Sequence, residues 1–366
     1  MIPTDDGTYH VWAPDVVYNR AQDLYYMYFC TSSTWNASNL CYAVSDKPEG
    51  PYTWKGALIY SGFTKDTIEA TDVLDYVDID YAKKNYIMAG NKYNYEKYPN
   101  AIDPTVFYDA DGKMWMVYGS WSGGIFLLEI DEKTGLVIHP KEDEKNGVDP
   151  YFGKRLLGGG HKSIEGPYIL YDEESGYYYL FVSYGSLKSD YNIRVGRSRS
   201  ICGPFIDFHG KDLIADEDED NSTGLLAMCG YQWNEGQAYM SPGHNSVLHD
   251  VNGRWYLVCH IRRKNFTQQE EPSEMQIREI FWSEDGWPFV AAQPLAKTDT
   301  GDGIKPVTKE QICGFYERIT LAPALPQGIT CSVPMKFPTK QAGCRRCIMA
   351  YCPGSCQSKS GFWSWS

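Results

Sequence analysis

Nowhere in the 366 residues is there a run of about 18 apolar side chains, the length that spans a bilayer as a helix. The opening residues, MIPTDDGTYHVW, hold neither the basic stretch nor the apolar core of a secretion signal. No membrane partner is expected from these features. Basic runs are missing too: 34 Lys and Arg stand against 47 Asp and Glu, a formal net charge of −13, which argues against nucleic acid as a partner. Apolar residues at i, i+3, i+4 and i+7 are scarce, so a helical bundle is excluded as the main architecture.

What the chain has instead is aromatic. Its 29 Tyr and 11 Trp help bring aromatics to 15% of all residues, a composition that favours strands. Exposed aromatic rings on an acidic protein also suit a neutral ligand such as a sugar. The eleven cysteines are unevenly placed. Cys30, Cys41, Cys202, Cys229, Cys259, Cys313 and Cys331 lie in or beside strand-like runs and are expected to be small buried hydrophobes. Cys344, Cys347, Cys352 and Cys356 crowd the tail; their spacing could hold four thiolates around zinc, but paired Cys-x2-Cys knuckles are missing. Disorder is the expectation for residues 340–366.

One unit recurs: a polar or turn-like lead, a few apolar residues, a turn with Asp, Asn or Gly, then an aromatic strand. Its copies are WAPDVVYNRAQDLYYMYF (12–29), IDPTVFYDADGKMWMVYG (102–119), IEGPYILYDEESGYYYLFVSYG (164–185) and GHNSVLHDVNGRWYLVCH (243–260). Each reads as a β-hairpin. Aligned on Val16-Val17, Val106-Phe107, Ile169-Leu170 and Val247-Leu248, they are offset by 90, 63 and 78 residues. That is room for a four-stranded antiparallel blade with loops, and such repetition marks a β-propeller.

The tetrapeptide Glu-Gly-Pro-Tyr occurs twice, at 49–52 and at 165–168. Glu49 lies in the outgoing half of its unit, where a later unit has Cys202 before Gly-Pro, so it is expected to be a turn residue. Glu165 instead leads the first strand of its unit, in the register, to within one residue, of Asp103 and His244. First strands of propeller blades line the axis, so an Asp, a Glu and a His would meet at one mouth. Two carboxyls in one cleft suit glycosidic cleavage, one giving a proton to the leaving oxygen and the other acting on water or carbon; the alternative is that both merely cap turns.

The motifs WAPDVVY, IDPTVFYD, SIEGPY and GHNSV, with YGSWSGGIFLLEID between them, resemble the five-bladed β-propeller glycoside hydrolases of family 43, and most closely the arabinan endo-1,5-α-L-arabinosidases. The match runs from about residue 8 to 300. The resemblance implies that Glu165 is the general acid of an inverting cleavage of α-1,5-linked L-arabinan. It implies that Asp103 tunes that acid and orients the sugar, and that His244 holds calcium or a similar ion largely through water. The family's general base, an Asp, lies in a first blade upstream of WAPD. Only eleven residues precede Trp12 here, and Asp5 and Asp6 lack strand pattern around them, so four of five blades and no base are expected in this chain.

Further sugar contacts are expected at Trp12, Asp15, Asn100, Ser120, Trp121, His161, Tyr184 and Arg194. The stretch LLGGGH before His161 is not a phosphate loop, because it lacks the Gly-Lys-Ser/Thr ending. The domain expectation is a propeller over residues 1–300, the start of a small β-domain over 301–339 and then the tail. Other readings keep the fold: β-xylosidase or α-L-arabinofuranosidase activity, or an arabinan-binding propeller that does not cut. A polymer substrate implies a secreted or periplasmic full-length form.

Overall fold

The computed structural model describes residues 10–33, 37–214, 223–234, 238–263, 273–295, 314–321 and 329–337. Four antiparallel sheets carry the fold. The first is built, in order, from His10–Asn19, Leu24–Ser32, Ser38–Ser45 and Thr53–Tyr60. In the second, Thr105–Tyr108, Met114–Tyr118, Ile125–Asp131 and Gly153–Leu157 follow one another, with Val148–Asp149 at the edge. The third comprises Ile164–Asp172, Tyr177–Tyr184, Asn192–Ser198 and Leu225–Met228, and the fourth Tyr239–His249, Trp255–Arg263, Glu274–Trp282 and Pro288–Val290, extended beyond Tyr239–His249 by the short strands Tyr231–Gln232 and, parallel to it, Thr330–Cys331. These are propeller blades, and the all-β expectation holds: each repeated hairpin forms the first two strands of one blade.

The hairpins form for local reasons. In the first, the Asn19 carboxamide accepts the N–H of Gln22 at 3.0 Å and so closes the turn. In the second, Asp109 accepts from the N–H groups of Asp111 and Lys113, both at 2.9 Å. Such Asx turns place the returning strand in register. The helical exception is an insert after the first sheet, with helices Val73–Tyr76 and Ile79–Asn85; Asp78 caps the latter by accepting the N–H of Tyr81 at 2.7 Å. Helices of one and two turns are too short to show a period, which is why the sequence carries no helical signal there.

The chain divides into two compact units, Met1–Ser183 with Val195–Glu217, and Tyr184–Arg194 with Asp218–Ser366. The core of the first unit is largely tyrosine. Tyr26, Tyr28 and Tyr42 stack with centroids 5.9 to 6.3 Å apart, and Tyr86 meets Phe63, Tyr81, Tyr98 and Phe152 edge-on. A buried hydroxyl needs a partner. Tyr28 donates to the Gly135 carbonyl at 3.0 Å, Tyr118 to that of Phe152 at 2.8 Å and Tyr93 to that of Pro99 at 2.8 Å. Many of the tyrosines expected to be exposed are therefore core residues with satisfied hydroxyls, a correction to the composition argument.

Among the cysteines, Cys30, Cys41, Cys229 and Cys259 are buried as expected, whereas Cys202 and Cys331 are exposed. Cys202 sits in the turn after Asn192–Ser198, and Cys331 lies on the two-residue strand Thr330–Cys331 at the edge of the fourth sheet, paired to Tyr231–Gln232 on one side only. Within 301–339, Gly314–Arg318 pairs antiparallel with Val333–Phe337. Asp5, Asp6, Cys313 and the tail 340–366 with its four cysteines lie outside the described residues. No helix among the described residues is long and apolar enough to cross a membrane.

Candidate active site

The innermost strands of the first three sheets, His10–Asn19, Thr105–Tyr108 and Ile164–Asp172, lie side by side in the first unit. Side chains at their leading ends link each strand to the next. Asp15 accepts the Val106 N–H at 2.7 Å, Thr105 donates its hydroxyl to the Pro167 carbonyl at 2.9 Å, and Asp103 accepts the Gly166 N–H at 3.2 Å. Asp103 is thereby held against the peptide that follows Glu165.

The same kink recurs in, or just before, each inner strand. Ala13, Asp103, Gly166 and His244 all have left-handed φ, at 47°, 57°, 58° and 47°. Pro follows the first three and Asn the fourth, and their spacings repeat the offsets of the hairpins. Asp103 and His244 therefore occupy equivalent positions shared with Gly166, and Glu165 stands one residue earlier. Asp103 nevertheless reaches the neighbouring strand beside Glu165, because its carboxylate accepts the N–H of Gly166, the residue that follows Glu165. Glu49, by contrast, is an exposed turn residue; Gly50 and Gly203 share a left-handed φ of 86° and 78°, which supports its equivalence with Cys202.

Ser120 donates its hydroxyl to Glu165 Oε2 at 2.8 Å. It is buried, as are Asp103 and Asn100. Asn100 accepts from the Ser61 hydroxyl at 3.4 Å, and Ser61 in turn accepts the Ala101 N–H at 2.9 Å, fixing the segment that leads into Asp103. Trp121, next to Ser120, donates its N–H to the Ile164 carbonyl at 2.7 Å. His161 is exposed, with its ring 5.4 Å from that of Trp121. Asn100, Asp103, Ser120, Trp121, His161 and Glu165 are thus one neighbourhood.

Asp15 and Trp12 belong to the first inner strand. Burial pushes the Asp15 carboxyl up to about 6, against the pull of its hydrogen bonds to the Val106 and Val16 amides. Its place is that of a strand-to-strand tie. Trp12 stacks on His10 at 5.2 Å. Tyr95 was not singled out from sequence; its ring stands 5.3 Å from that of His161.

Tyr184, Arg194 and His244 lie in the second unit. Arg194 is fully buried, its guanidinium 5.7 Å from the Tyr184 ring centre, donating to Asn192 Oδ1 at 3.0 Å and to the Gly224 carbonyl at 3.3 Å. These contacts make the pair part of the interior of that unit. His244 is half-buried, and beside it in sequence the carboxamide of Asn245 and the hydroxyl of Ser241 are buried without a hydrogen-bond partner among the described residues. No group of three or more His, Cys, Asp or Glu that could hold a metal occurs among those residues. One imidazole flanked by neutral polar groups fits an ion that keeps most of its water, and does not fit one stripped by carboxylates.

Two carboxyls on neighbouring propeller strands, one with a hydroxyl donor and the other tied to the adjoining peptide, are the kind of groups that glycosidic cleavage uses. Residues 76–288 match the model described as Glycosyl hydrolases family 43, and the chain belongs to that family. It is 37% identical over 327 residues to extracellular endo-alpha-(1->5)-L-arabinanase 2 of Bacillus subtilis (strain 168), covering 84% of this chain and 62% of that protein. To the extracellular endo-alpha-(1->5)-L-arabinanase of Thermotoga petrophila it is 35% identical over 323 residues, with the same coverage. The crystal structure of endo-1,5-alpha-L-arabinanase from Thermotoga petrophila RKU-1 superimposes with a TM-score of 0.74 at 34% identity, over 90% of this chain and 69% of that one. The chain thus spans about 62% of the length of these two curated relatives.

Proposed function

We propose that the chain carries the acid half of an inverting hydrolysis of α-1,5-linked L-arabinan, with Glu165 as general acid and Asp103 as its modulator. The observation that supports this reading is the placement of the two carboxylates, joined through the Gly166 N–H and flanked by Ser120. Protonated Glu165 gives its proton to the glycosidic oxygen as the bond from that oxygen to C1 breaks. Water attacks C1 from the opposite face and loses a proton to a base, leaving a hemiacetal of inverted configuration and a shortened alcohol. No residue is assigned as that base. The hydroxyl of Ser120 orients the Glu165 carboxyl, and the buried Ser61–Asn100 contact steadies the approach to Asp103.

The arabinanase relatives support arabinan and its oligosaccharides as ligand, and their extracellular designation supports action outside the cell. The proposal extends to calcium: His244 would hold the ion through one imidazole nitrogen, with water completing its shell within reach of Ser241 and Asn245. Such an ion supplies fixed positive charge. The test is reducing-sugar release from linear arabinan by the chain and by Glu165→Gln. Activity that falls at least about a hundredfold in the variant supports the acid assignment. Activity retained by Glu165→Gln sinks it, and arabinan binding without release in either protein identifies a binding propeller instead.

A further inference from the structure

The thiol of Cys30 lies between two of the inner-strand kinks. Cys30 is fully buried on Leu24–Ser32 and faces Trp12, the last pair before the register of the first hairpin slips between Trp12 and Asp15. Its S–H donates to the Trp12 carbonyl at 3.4 Å, and the same sulfur accepts the backbone N–H of Asp103. One atom thus touches the residue before the Ala13 kink and the residue that makes the kink at 103. A slip in register is where a strand is re-aimed, and the sulfur joins that place to the lead of Thr105–Tyr108.

The contact bears on Asp103 because that residue is strained. Its φ of 57° is a left-handed conformation that a non-glycine residue keeps where its surroundings impose it. The Ile102 carbonyl before it is fixed by the Gly119 N–H at 2.9 Å, and its own carboxylate by the Gly166 N–H at 3.2 Å. The sulfur adds a hold on the amide in between. Burial, and after it the Asp103 charge, raise the pKa of the thiol, so the group stays neutral and places no second negative charge beside that carboxylate. A neutral thiol can also both give and take a weak hydrogen bond, as the two backbone groups here require.

We propose that Cys30 is a positioning residue: its thiol sets the Asp103 amide so that the Asp103 carboxylate reaches the peptide that follows Glu165. The inference rests on the reading of Glu165 as acid and Asp103 as its modulator, and adds the group that holds the modulator in place. Cys30 is buried and acts through Asp103, not on the sugar. Its removal therefore lowers kcat and leaves KM nearly unchanged. If the side chain only filled space, valine would serve as well, and serine no better than alanine.

The experiment measures kcat and KM on linear arabinan for the wild type, Cys30→Ala, Cys30→Val and Cys30→Ser, with circular dichroism as the check of folding. Cys30→Ala removes both hydrogen bonds, Cys30→Val removes them while filling the space, and Cys30→Ser keeps both. The proposal predicts kcat about tenfold lower for Cys30→Ala and Cys30→Val, the worth of about one hydrogen bond, with KM within about twofold and Cys30→Ser within about threefold of wild type. Either of the two apolar variants suffices if the other does not fold. Wild-type kcat in them, or a loss in Cys30→Ser as large as theirs, overturns the proposal and leaves the acid assignment intact. Absence of cleavage in the wild type removes the hydrolase reading alone, and amide exchange read by mass spectrometry then decides. Exchange about tenfold faster at Asp103 and Gly166 in Cys30→Ala, with Cys30→Ser like the wild type and Thr53–Tyr60 unchanged, upholds the positioning; no change, or an increase throughout, overturns it.

Discussion

Replacing Asp149 by Asn measures how far a buried acid sets the pH dependence of the first unit. Asp149 is 9% exposed and accepts the N–H groups of Tyr151 and Phe152 at 2.9 and 2.7 Å and the Tyr86 hydroxyl at 2.9 and 3.1 Å. Burial outweighs those bonds, with help from the charge of Glu142, and pushes the carboxyl from 3.8 up to about 6. The folded chain therefore holds this proton more tightly than the unfolded one. The resulting stabilisation is complete below pH 3.8 and is lost as the pH rises through 6. A gap of about two units at ~1.4 kcal/mol each amounts to about 3 kcal/mol. Asp149→Asn keeps an acceptor for the two amides and never charges. Its unfolding free energy relative to wild type should move in its favour by about 3 kcal/mol between pH 4 and pH 8, read from urea transitions by tryptophan fluorescence. A difference that stays constant across that range would refute burial as the governing cause.

Ser120→Ala removes the donor to Glu165 and should lower kcat on linear arabinan by about ten- to a hundredfold, the worth of a hydrogen bond to a charged group, with the far-ultraviolet spectrum unchanged; full activity would remove Ser120 from the site. Gly123→Ala should cost about 1–3 kcal/mol in urea unfolding, because its methyl meets backbone rather than a side chain that can move. Asp15→Ala strands the Val106 N–H and should cost about 1–3 kcal/mol, with Asp15→Asn recovering most of it. Added calcium should raise the thermal midpoint of the wild type and not that of His244→Ala, and an equal rise in both would place the ion elsewhere.

The hairpins were legible because each repeats one apolar pair and one turn at a matching place, and Asp103 and Glu165 because each stands before that pair. The one-residue difference between them was not legible. It depends on which residue takes the left-handed kink, and the sequence shows only Asp-Pro in one unit and Glu-Gly-Pro in the other. Ser120 and Trp121 were within reach because they follow a recognisable strand. Tyr95 left no trace, since one Tyr among 29 carries no signal until the loops that bring it to His161 have folded. The tyrosine core misled for a related reason: composition counts rings without showing which hydroxyls find a carbonyl. The short helices around Asp78 escaped through lack of length alone.

The kink shared by Ala13, Asp103, Gly166 and His244 has a consequence for how blades of one ancestry come to differ. The backbone supplies one recurring socket in, or just before, each inner strand, and the socket accepts a methyl, a carboxylate, a bare hydrogen or an imidazole. New chemistry at a blade is then one codon away and needs no insertion. The same economy has a counterpart in fragility: a substitution that straightens the kink would displace the strand and the side chain it carries together.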